Sequence, residues 1–376
     1  MEGSSTHLRC SVRIDLCALE RNLGKLRSFL PDTKAFMGLV SADAFGCGVE
    51  AAVVRLMLSG ADAFAVTNSD EGKCVREVGE GWPVIVMSST LPGEERIYFE
   101  QKLTPVLVSE EEIARFEECA MNMNRNLPVH MRLPVKGTAI PSPEEAKAML
   151  VRLEKSERLR LEAFCLPGTG TGAPTEGTIP DAGFLEFAAS RVGNLNLKPY
   201  IHHSDVVNLA GLPPEFGRCL RIGLVLFGAK PSQNSILKGF DPEQVLTFRS
   251  SVSQIKTLPK GATVGYSRKY TMPKESKVAL ISAGYGDGLA RGAGGKAHVL
   301  IRGKRAPIIG IVSMDQASID VGNFDEIEVG DEAIIIGESE GEKISVEDYC
   351  NALSITPAQA LTSITKRVAR FYKTLY

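Results

Sequence analysis

The stretch TKAFMGLV, residues 33–40, is a short apolar run that predicts a buried β-strand, and it is the first of eight such runs. The others are ADAFAVTN, PVIVMSS, TPVLVS, PVHMRLPV, LRLEAFCLP, PYIHHSD and CLRIGLVLFG, with helix-like segments such as AAVVRLMLSGA and EEIARFEECAM between them. Runs rich in Val, Leu and Ile without alternation are typical of parallel strands covered on both faces. Residues 13–241 are therefore predicted to form a closed (β/α)8 barrel, an α/β fold whose site lies on the loops after the strands.

Beyond residue 242 the sequence changes to short strand-like runs separated by Gly and Pro, among them LTFRSSVSQIKTL, SKVALIS, AHVLIRG and DEAIIIG. This pattern predicts a separate, mainly β domain over residues 242–376, which residues 1–12 could join. The last segment, SITPAQALTSITKRVARFY, is predicted to be helix or loop.

The composition is that of an ordinary globular protein of 376 residues, with 44% hydrophobic residues and a formal net charge of -2. A charge this small provides no field for nucleic acid or anionic lipid, so neither is a predicted partner. The chain shows no secretion signal and no run of eighteen apolar residues, so we predict a cytoplasmic protein. The eight cysteines form no C-x-x-C pair, and His130, His202 and His203 lack supporting carboxylate spacing, so no metal is predicted.

Several segments, in order along the chain, resemble the alanine racemase family. They are VRIDLCALERNLGKLR (12–27), LRIGLVLFGAKP (220–231), VGYSRKYT (264–271), ISAGYGDGLAR (281–291), APIIGIVSMDQASIDV (306–321), VGDEAIIIG (329–337) and ITKRVARFY (364–372). The resemblance implies an eight-stranded barrel followed by a β domain, a pyridoxal-phosphate cofactor, and a homodimer whose subunits complete each other's sites.

The resemblance places the cofactor lysine of the family at Ser41. The family motif Lys-Ala-Asn-Ala-Tyr-Gly-His-Gly corresponds here to SADAFGCG, residues 41–48, and the shared glycines and alanines fix the register. A serine hydroxyl cannot form a Schiff base with the cofactor aldehyde, so Ser41 is expected to be non-functional. In the same motif Phe45 replaces a tyrosine that donates to the cofactor phosphate.

Other positions that the resemblance assigns to phosphate binding differ as well. Val206 stands at a phosphate-binding serine, although a shift of two residues would bring Ser204 to that place. Ala358 stands near a phosphate-binding tyrosine. Gly223 and Leu224 remain, and their main-chain N–H groups could still bind an anion.

The substrate clamp of the family is also altered. The family motif that ends in the clamp arginine reads PVKGTA here (134–139) and contains no arginine. Lys136 is a poor replacement, because a lysine cannot bind a carboxylate with the two parallel hydrogen bonds of an arginine. Arg132 occupies the position of the lysine that orients the clamp. The histidine that ends the sixth strand in the family is replaced in the sequence Phe164, Cys165, Leu166.

Some residues match the family. Arg221 matches the arginine that contacts the pyridine nitrogen, and Tyr270 matches the second catalytic base, delivered across the dimer interface. Tyr285 and Met314 match the substrate-facing surface of that interface. Because a buried charge without a partner is costly, Arg221 is expected to meet Asp205 or Asp43.

Together these differences predict a racemase homologue that forms no Schiff base, has no cofactor and is catalytically inactive, with a binding, regulatory or scaffold role. The alternative is an active pyridoxal-phosphate-dependent alanine racemase in which a relocated lysine, Lys136, holds the cofactor. The predicted partner is a second copy of the chain, or an active racemase to which this chain would lend Tyr270 and Met314.

Overall fold

The structure, a computed structural model, describes residues 9–33, 35–135, 141–167, 180–191, 200–204, 216–233 and 235–375. Lys136, Asp205, Val206 and the glycine-rich stretch 168–172 lie outside these ranges. In the described ranges, no helix is long and apolar enough to cross a bilayer.

Eight parallel strands close into a barrel, which confirms the predicted (β/α)8 architecture. Each predicted apolar run overlaps one strand, and the last strand pairs with the first through Arg221 opposite Met37. The strands are β2 (Ala35–Leu39), β3 (Ala63–Val66), β4 (Val84–Val86), β5 (Thr104–Leu107), β6 (Leu127–Arg132), β7 (Leu159–Cys165), β8 (Tyr200–His203) and β9 (Gly217–Ile222).

Helices cover the outside of the barrel, and their starts follow from capping residues in the sequence. Asn68, Ser109 and Ser142 each accept a hydrogen bond from a main-chain N–H in the first turn of their helix, and Ser142 forms a full capping box with Glu145. The helices are α1 (Leu16–Phe29), α2 (Ser41–Phe45), α3 (Val49–Leu58), α4 (Ser69–Val78), α5 (Glu95–Glu100), α6 (Glu110–Met123), α7 (Pro143–Lys155) and α8 (Ala182–Arg191).

The second part of the chain is mainly β, as predicted. Eight of its ten described strands join the N-terminal strand β1 in one nine-stranded sheet, and the other two form a small ribbon. Two helices lie near the C-terminus. These elements are β1 (Cys10–Asp15), β10 (Leu246–Leu258), β11 (Thr263–Val264), β12 (Tyr270–Thr271), β13 (Ser276–Ile281), β14 (His298–Ile301), β15 (Lys304–Ile309), β16 (Ala317–Asp320), β17 (Glu332–Ser339), β18 (Glu342–Ile344), α9 (Val346–Leu353), α10 (Pro357–Thr362) and β19 (Ala369–Lys373).

Both ends of the chain meet in this sheet. Strand β1 pairs antiparallel with β10 and parallel with β19, so the first described residues form part of the C-terminal sheet. The prediction of helix or loop for the final segment is therefore wrong at β19. Its sequence, ARFYK, has the aromatic content of a strand, and the strand needs the distant β1 as its partner.

The barrel interior is apolar through most of its height. Met37, Ala65, Ile85, Val106 and Cys219 are fully or almost fully buried there. Cys165 also lies in this cluster, at the carboxyl end of β7. The polar side chains described below lie toward that same end of the barrel, where sites of this fold are built.

Candidate functional site

Ser41 lies directly after β2, at the carboxyl end of the first barrel strand. Its side chain is buried, with 8% of the residue exposed, and its Oγ has no hydrogen-bond partner. An activated serine nucleophile is recognised by a base within hydrogen-bond reach. Among the described residues, no base lies within hydrogen-bond reach of Ser41.

The turn after Ser41 is left-handed and is held in place from several sides. Residues 42–45 all have positive φ, between 52° and 58°, a conformation that costs energy in residues with a side chain. Asp43 Oδ1 accepts a hydrogen bond from Val49 N at 2.8 Å, and Glu71 Oε1 accepts one from Ala42 N at 2.6 Å. Because these contacts fix the turn, the position of residue 41 is also fixed.

Arg370 ties the same turn to the C-terminal part of the chain. Its Nε donates to the carbonyl oxygen of Gly46 at 3.0 Å, and its two terminal nitrogens donate to three further main-chain carbonyls. Those carbonyls belong to Ile364, Thr365 and Val368, in the segment before β19. The guanidinium therefore joins the site loop to the second domain with charge-assisted hydrogen bonds.

Phe45 packs over the start of the turn that follows β9. A Cβ atom placed on Gly223 would lie 3.1 Å from Phe45 Cζ, and the ring of Phe45 also contacts Phe227 with centroids 5.3 Å apart. Within the described hydrogen bonds, the main-chain N–H groups of Gly223 and Leu224 have no acceptor. Two donors thus remain free beside an apolar ring where the family has a tyrosine.

Arg221 does not meet Asp43, which is engaged with Val49, so that predicted ion pair is wrong. Instead Arg221 Nη1 donates to Nδ1 of His202 at 2.9 Å, and Nη2 donates to the carbonyl oxygen of Leu166 at 3.3 Å. Only 7% of Arg221 is exposed. The second predicted partner, Asp205, lies outside the described residues.

A chain of hydrogen bonds runs from Arg221 into the barrel. His202 Nε2 and His130 Nδ1 are 3.1 Å apart, and His130 Nε2 lies 3.3 Å from the hydroxyl of Tyr200. Because a guanidinium has only donors, Nδ1 of His202 must accept, so its Nε2 carries the proton and donates to His130. His130 then donates from Nε2 to Tyr200, and the tautomers of both histidines are fixed.

The histidines of this region are uncharged. Burial lowers the pKa of His130 to about 3 and that of His203 to about 4. The pKa of His202 lies well below its ordinary value because of burial first, and then because of the charges on neighbouring groups that include Arg221. Each of these rings therefore acts as a neutral hydrogen-bonding group.

Arg132 ends β6 and lies in register with Cys165 on β7, so both side chains lie on the same face of the sheet, the one that lines the barrel. Its Nε is buried without a hydrogen-bond partner. Arg221 Nη1 also approaches Cys165 Sγ, at 3.8 Å. Burial raises the pKa of the Cys165 thiol, while the charges of Arg221 and Arg132 act in the opposite direction.

The described structure has five buried side-chain polar atoms without a hydrogen-bond partner. Three of them belong to residues at or just after the carboxyl ends of barrel strands, on the same side of the molecule. They are Ser41 Oγ after β2, Arg132 Nε at the end of β6, and Ser204 Oγ after β8. Buried polar groups are nearly always paired in native proteins. Their convergence on the barrel mouth indicates a site for a polar ligand.

The residues matched to the dimer interface form a separate surface. Tyr285 and Met314 are 46% and 51% exposed, and Tyr270 begins β12. The carbonyl oxygen of Met314 accepts hydrogen bonds from Gly286 N and from Arg367. In the described hydrogen bonds and ion pairs, none joins this surface to Ser41 or Arg221 of the same chain.

Sequence reasoning identified Ser41, Arg221, Gly223 and Leu224, and the structure brings them to one end of the barrel. It missed the chain through His130 to Tyr200. The available signal was that His130 and His202 both lie within predicted barrel strands, near their carboxyl ends. In the described ranges, no group of three His, Cys, Asp or Glu side chains could hold a metal ion.

Two family models match the chain. "Alanine racemase, N-terminal domain" covers residues 14–231, and "Alanine racemase, C-terminal domain" covers residues 245–372. The fold and the matched domains define a two-domain barrel protein of known type: the chain belongs to the alanine racemase family.

Individual relatives agree with this assignment. The alanine racemases of Halothermothrix orenii and Geobacter sulfurreducens are each 29% identical to the chain, over 96% of both sequences. Solved structures of alanine racemase from Clostridium difficile and from E. faecalis share the fold. Their TM-scores are 0.86 and 0.85 at 24% identity, over 97% and 98% of this chain and 96% and 99% of theirs.

The prediction that the protein has no cofactor is wrong. Membership of the alanine racemase family makes pyridoxal phosphate the cofactor to expect. One solved relative, from Bartonella henselae, is described with covalently bound pyridoxal phosphate, at 21% identity and a TM-score of 0.82 over 97% of this chain and all of that chain.

The residues at the mouth do not fit a covalent attachment of that cofactor. Ser41 offers a hydroxyl and no amine, and none of the described residues directly after the eight barrel strands is a lysine. The unpartnered atoms of Ser41, Ser204 and Arg132 fit a bound polar group without a covalent link.

Proposed function

We propose that this member of the alanine racemase family binds pyridoxal phosphate at its barrel mouth without a covalent bond to residue 41, and that it does not racemise alanine. The observation that carries the proposal is the buried, unpartnered hydroxyl of Ser41 at the position of the family lysine. Racemisation needs a proton-transferring group on each side of the reacting carbon. A serine hydroxyl without a neighbouring base cannot serve as one of them.

The test is borohydride reduction of the protein after incubation with pyridoxal phosphate, followed by peptide mapping. Before reduction, we expect the cofactor to co-elute with the protein. After reduction, we expect no cofactor adduct on any peptide from the loops that follow the barrel strands. The variant Ser41→Lys is the positive control, because it restores an amine at this position. A reduced adduct on a lysine of the wild-type barrel mouth would contradict the proposal.

The second candidate is an active racemase in which Lys136 holds the cofactor. It is favoured by the relatives, which are named alanine racemases over nearly the whole chain. Val135, the residue before Lys136, is buried and forms a β-bridge with Pro180 after the end of β6. This candidate predicts that Lys136→Ala abolishes both the borohydride adduct and alanine racemisation, while the exposed Lys155→Ala at the end of α7 changes neither.

We further propose that the protein is a cytoplasmic homodimer that associates through the surface around Tyr285 and Met314. The exposed Tyr266, at 68%, adds apolar area to this surface. Sizing of the wild type against Met314→Glu tests the interface, and a dimer that is unchanged in the variant would refute it. Co-expression with an active racemase, followed by sizing, tests whether a mixed dimer forms. If no mixed dimer is found, this chain does not lend residues to an active racemase.

A further inference from the structure

Two arginines on different strands lie near the same thiol at the barrel mouth. Arg132 is the register partner of Cys165, one strand away, on the wall of the barrel. Arg221 reaches the same Cys165 from β9, with its guanidinium 3.8 Å from the sulfur. In the barrel order β6-β7-β8-β9, Cys165 on β7 lies between the strands of the two arginines, and while burial raises the pKa of its thiol, the charges of both arginines lower it.

Nothing in the described structure neutralises these two charges. Neither Arg132 nor Arg221 forms an ion pair with a described Asp or Glu. Among the described residues, the side chain of Arg221 contacts the neutral His202, the Leu166 carbonyl and the Cys165 thiol. Asp43 is engaged with Val49 N. A buried guanidinium that lacks a counter-ion is costly, and two that face the same space repel each other.

The N–H groups of the two arginines are also not all hydrogen-bonded within the described residues. Arg132 Nε is buried with no partner, and Ser204 Oγ after β8 is another unpartnered polar atom near the same strand ends. Arginine presents its N–H groups in a planar fork that matches the two oxygens of a carboxylate or phosphate. The arrangement therefore has the charge and the donors for an oxyanion.

We propose that Arg132 and Arg221 form an oxyanion site above Cys165, which binds the phosphate or carboxylate group of a small ligand. The inference rests on the proposed function only in that both place a ligand at the barrel mouth. Arg132 is then a specificity-determining residue of this chain, because it stands where the family resemblance implies a lysine. His202 acts as a positioning residue that holds Arg221 toward the site through Nδ1.

The experiment measures binding of inorganic phosphate, succinate and pyridoxal phosphate to the purified full chain by calorimetry and by thermal shift. The wild type is compared with Arg132→Gln and Arg221→Gln. Arg125→Gln is the matched control, because Arg125 is exposed at the amino end of the barrel, before β6. We expect each site variant to weaken anion binding about tenfold or more, as for the loss of one charge-assisted interaction, and the control to bind as the wild type does.

Arg132→Gln removes an uncompensated charge, so it should fold at least as stably as the wild type without added anion. A thermal shift with phosphate or succinate that is equal in the wild type and Arg132→Gln would mean an adventitious ion only, and would overturn the site. If pyridoxal phosphate and inorganic phosphate compete for binding, the site holds the phosphate group of the cofactor. Undiminished succinate binding to the pyridoxal-phosphate-loaded protein assigns it to a carboxylate.

The two proposals fail separately in this experiment. If pyridoxal phosphate does not bind but succinate binds in an Arg132-dependent way, the oxyanion site stands and the proposed cofactor binding is wrong. If pyridoxal phosphate binds and all three anions are insensitive to Arg132→Gln and Arg221→Gln, the oxyanion site is wrong and the cofactor proposal stands.

Discussion

Acidification should destabilise the protein through its buried histidines, and His130 allows the effect to be calculated. The native pKa of His130 is about 3, against an ordinary value of 6.5, so the unfolded chain binds a proton that the native barrel does not. A lowered native pKa means that the contribution to stability is complete above pH 6.5 and is lost as the pH falls toward 3. At about 1.4 kcal/mol per pH unit, His130 alone costs about 2 kcal/mol at pH 5.

His202 and His203 act in the same direction, because burial lowers their pKa values as well. Together His130 and His203, with native pKa values of about 3 and about 4, remove roughly 4 kcal/mol between pH 7.5 and pH 5, a large part of the stability of many domains, and His202 adds to this loss. The loss follows mainly from the burial of these rings, which disfavours the protonated form and so lowers each pKa in the native state.

The assay is urea unfolding at pH 7.5, 6.0 and 5.0 for the wild type and His130→Asn. Asparagine keeps an acceptor for the Nε2–H group of His202 and does not titrate. The free energy of unfolding should fall less steeply with pH in the variant, by about 2 kcal/mol over this range. His298→Gln is the control, because His298 is exposed at the start of β14. A pH dependence of His130→Asn equal to that of the wild type would refute the reasoning.

Three other predictions concern the site loop. Arg370→Ala should lower the free energy of unfolding by about 3 kcal/mol in a urea titration, because it removes four charge-assisted hydrogen bonds to main-chain carbonyls; a loss below about 1 kcal/mol would argue against this role. Gly46→Ala should cost about 2 kcal/mol or more, because its Cβ would lie 2.7 Å from the Leu361 carbonyl oxygen at φ +78°. Gly93→Ala, at φ +96° with no neighbour within 4 Å, isolates the backbone cost and should lose less in the same titration. Ser41→Lys should yield a borohydride-trapped cofactor adduct on residue 41, and its absence from the peptide map would mean that the mouth does not place the aldehyde there.

The barrel could be predicted from the sequence because each strand is a local signal. Runs such as TKAFMGLV and CLRIGLVLFG are mostly apolar, and burial on both faces of a parallel strand favours this. Strand β19 could not be predicted in the same way, because its partner β1 is more than three hundred residues away in sequence. The domain boundaries at 241 and 242 stay a prediction.

The site could be predicted only in part. The register of SADAFGCG located Ser41, and the left-handed turn holds that register in the structure. The partner of Arg221 could not be predicted, because charge complementarity pointed to a carboxylate and the fold supplied the neutral His202. A neutral partner arises from burial in the barrel interior, which lowers the pKa of the ring and is not visible in local sequence.

The most direct test of the account is the exchange of the α-hydrogen of alanine. The pyridoxal-phosphate-loaded protein is incubated with L-alanine in deuterated water, and the alanine is then analysed by mass spectrometry and chiral chromatography. If the hydroxyl of Ser41 cannot replace the lysine, deuterium incorporation and D-alanine stay at the level of free pyridoxal phosphate, and Ser41→Lys raises both. Deuterated D-alanine from the wild type, lost in Lys136→Ala, would contradict the account.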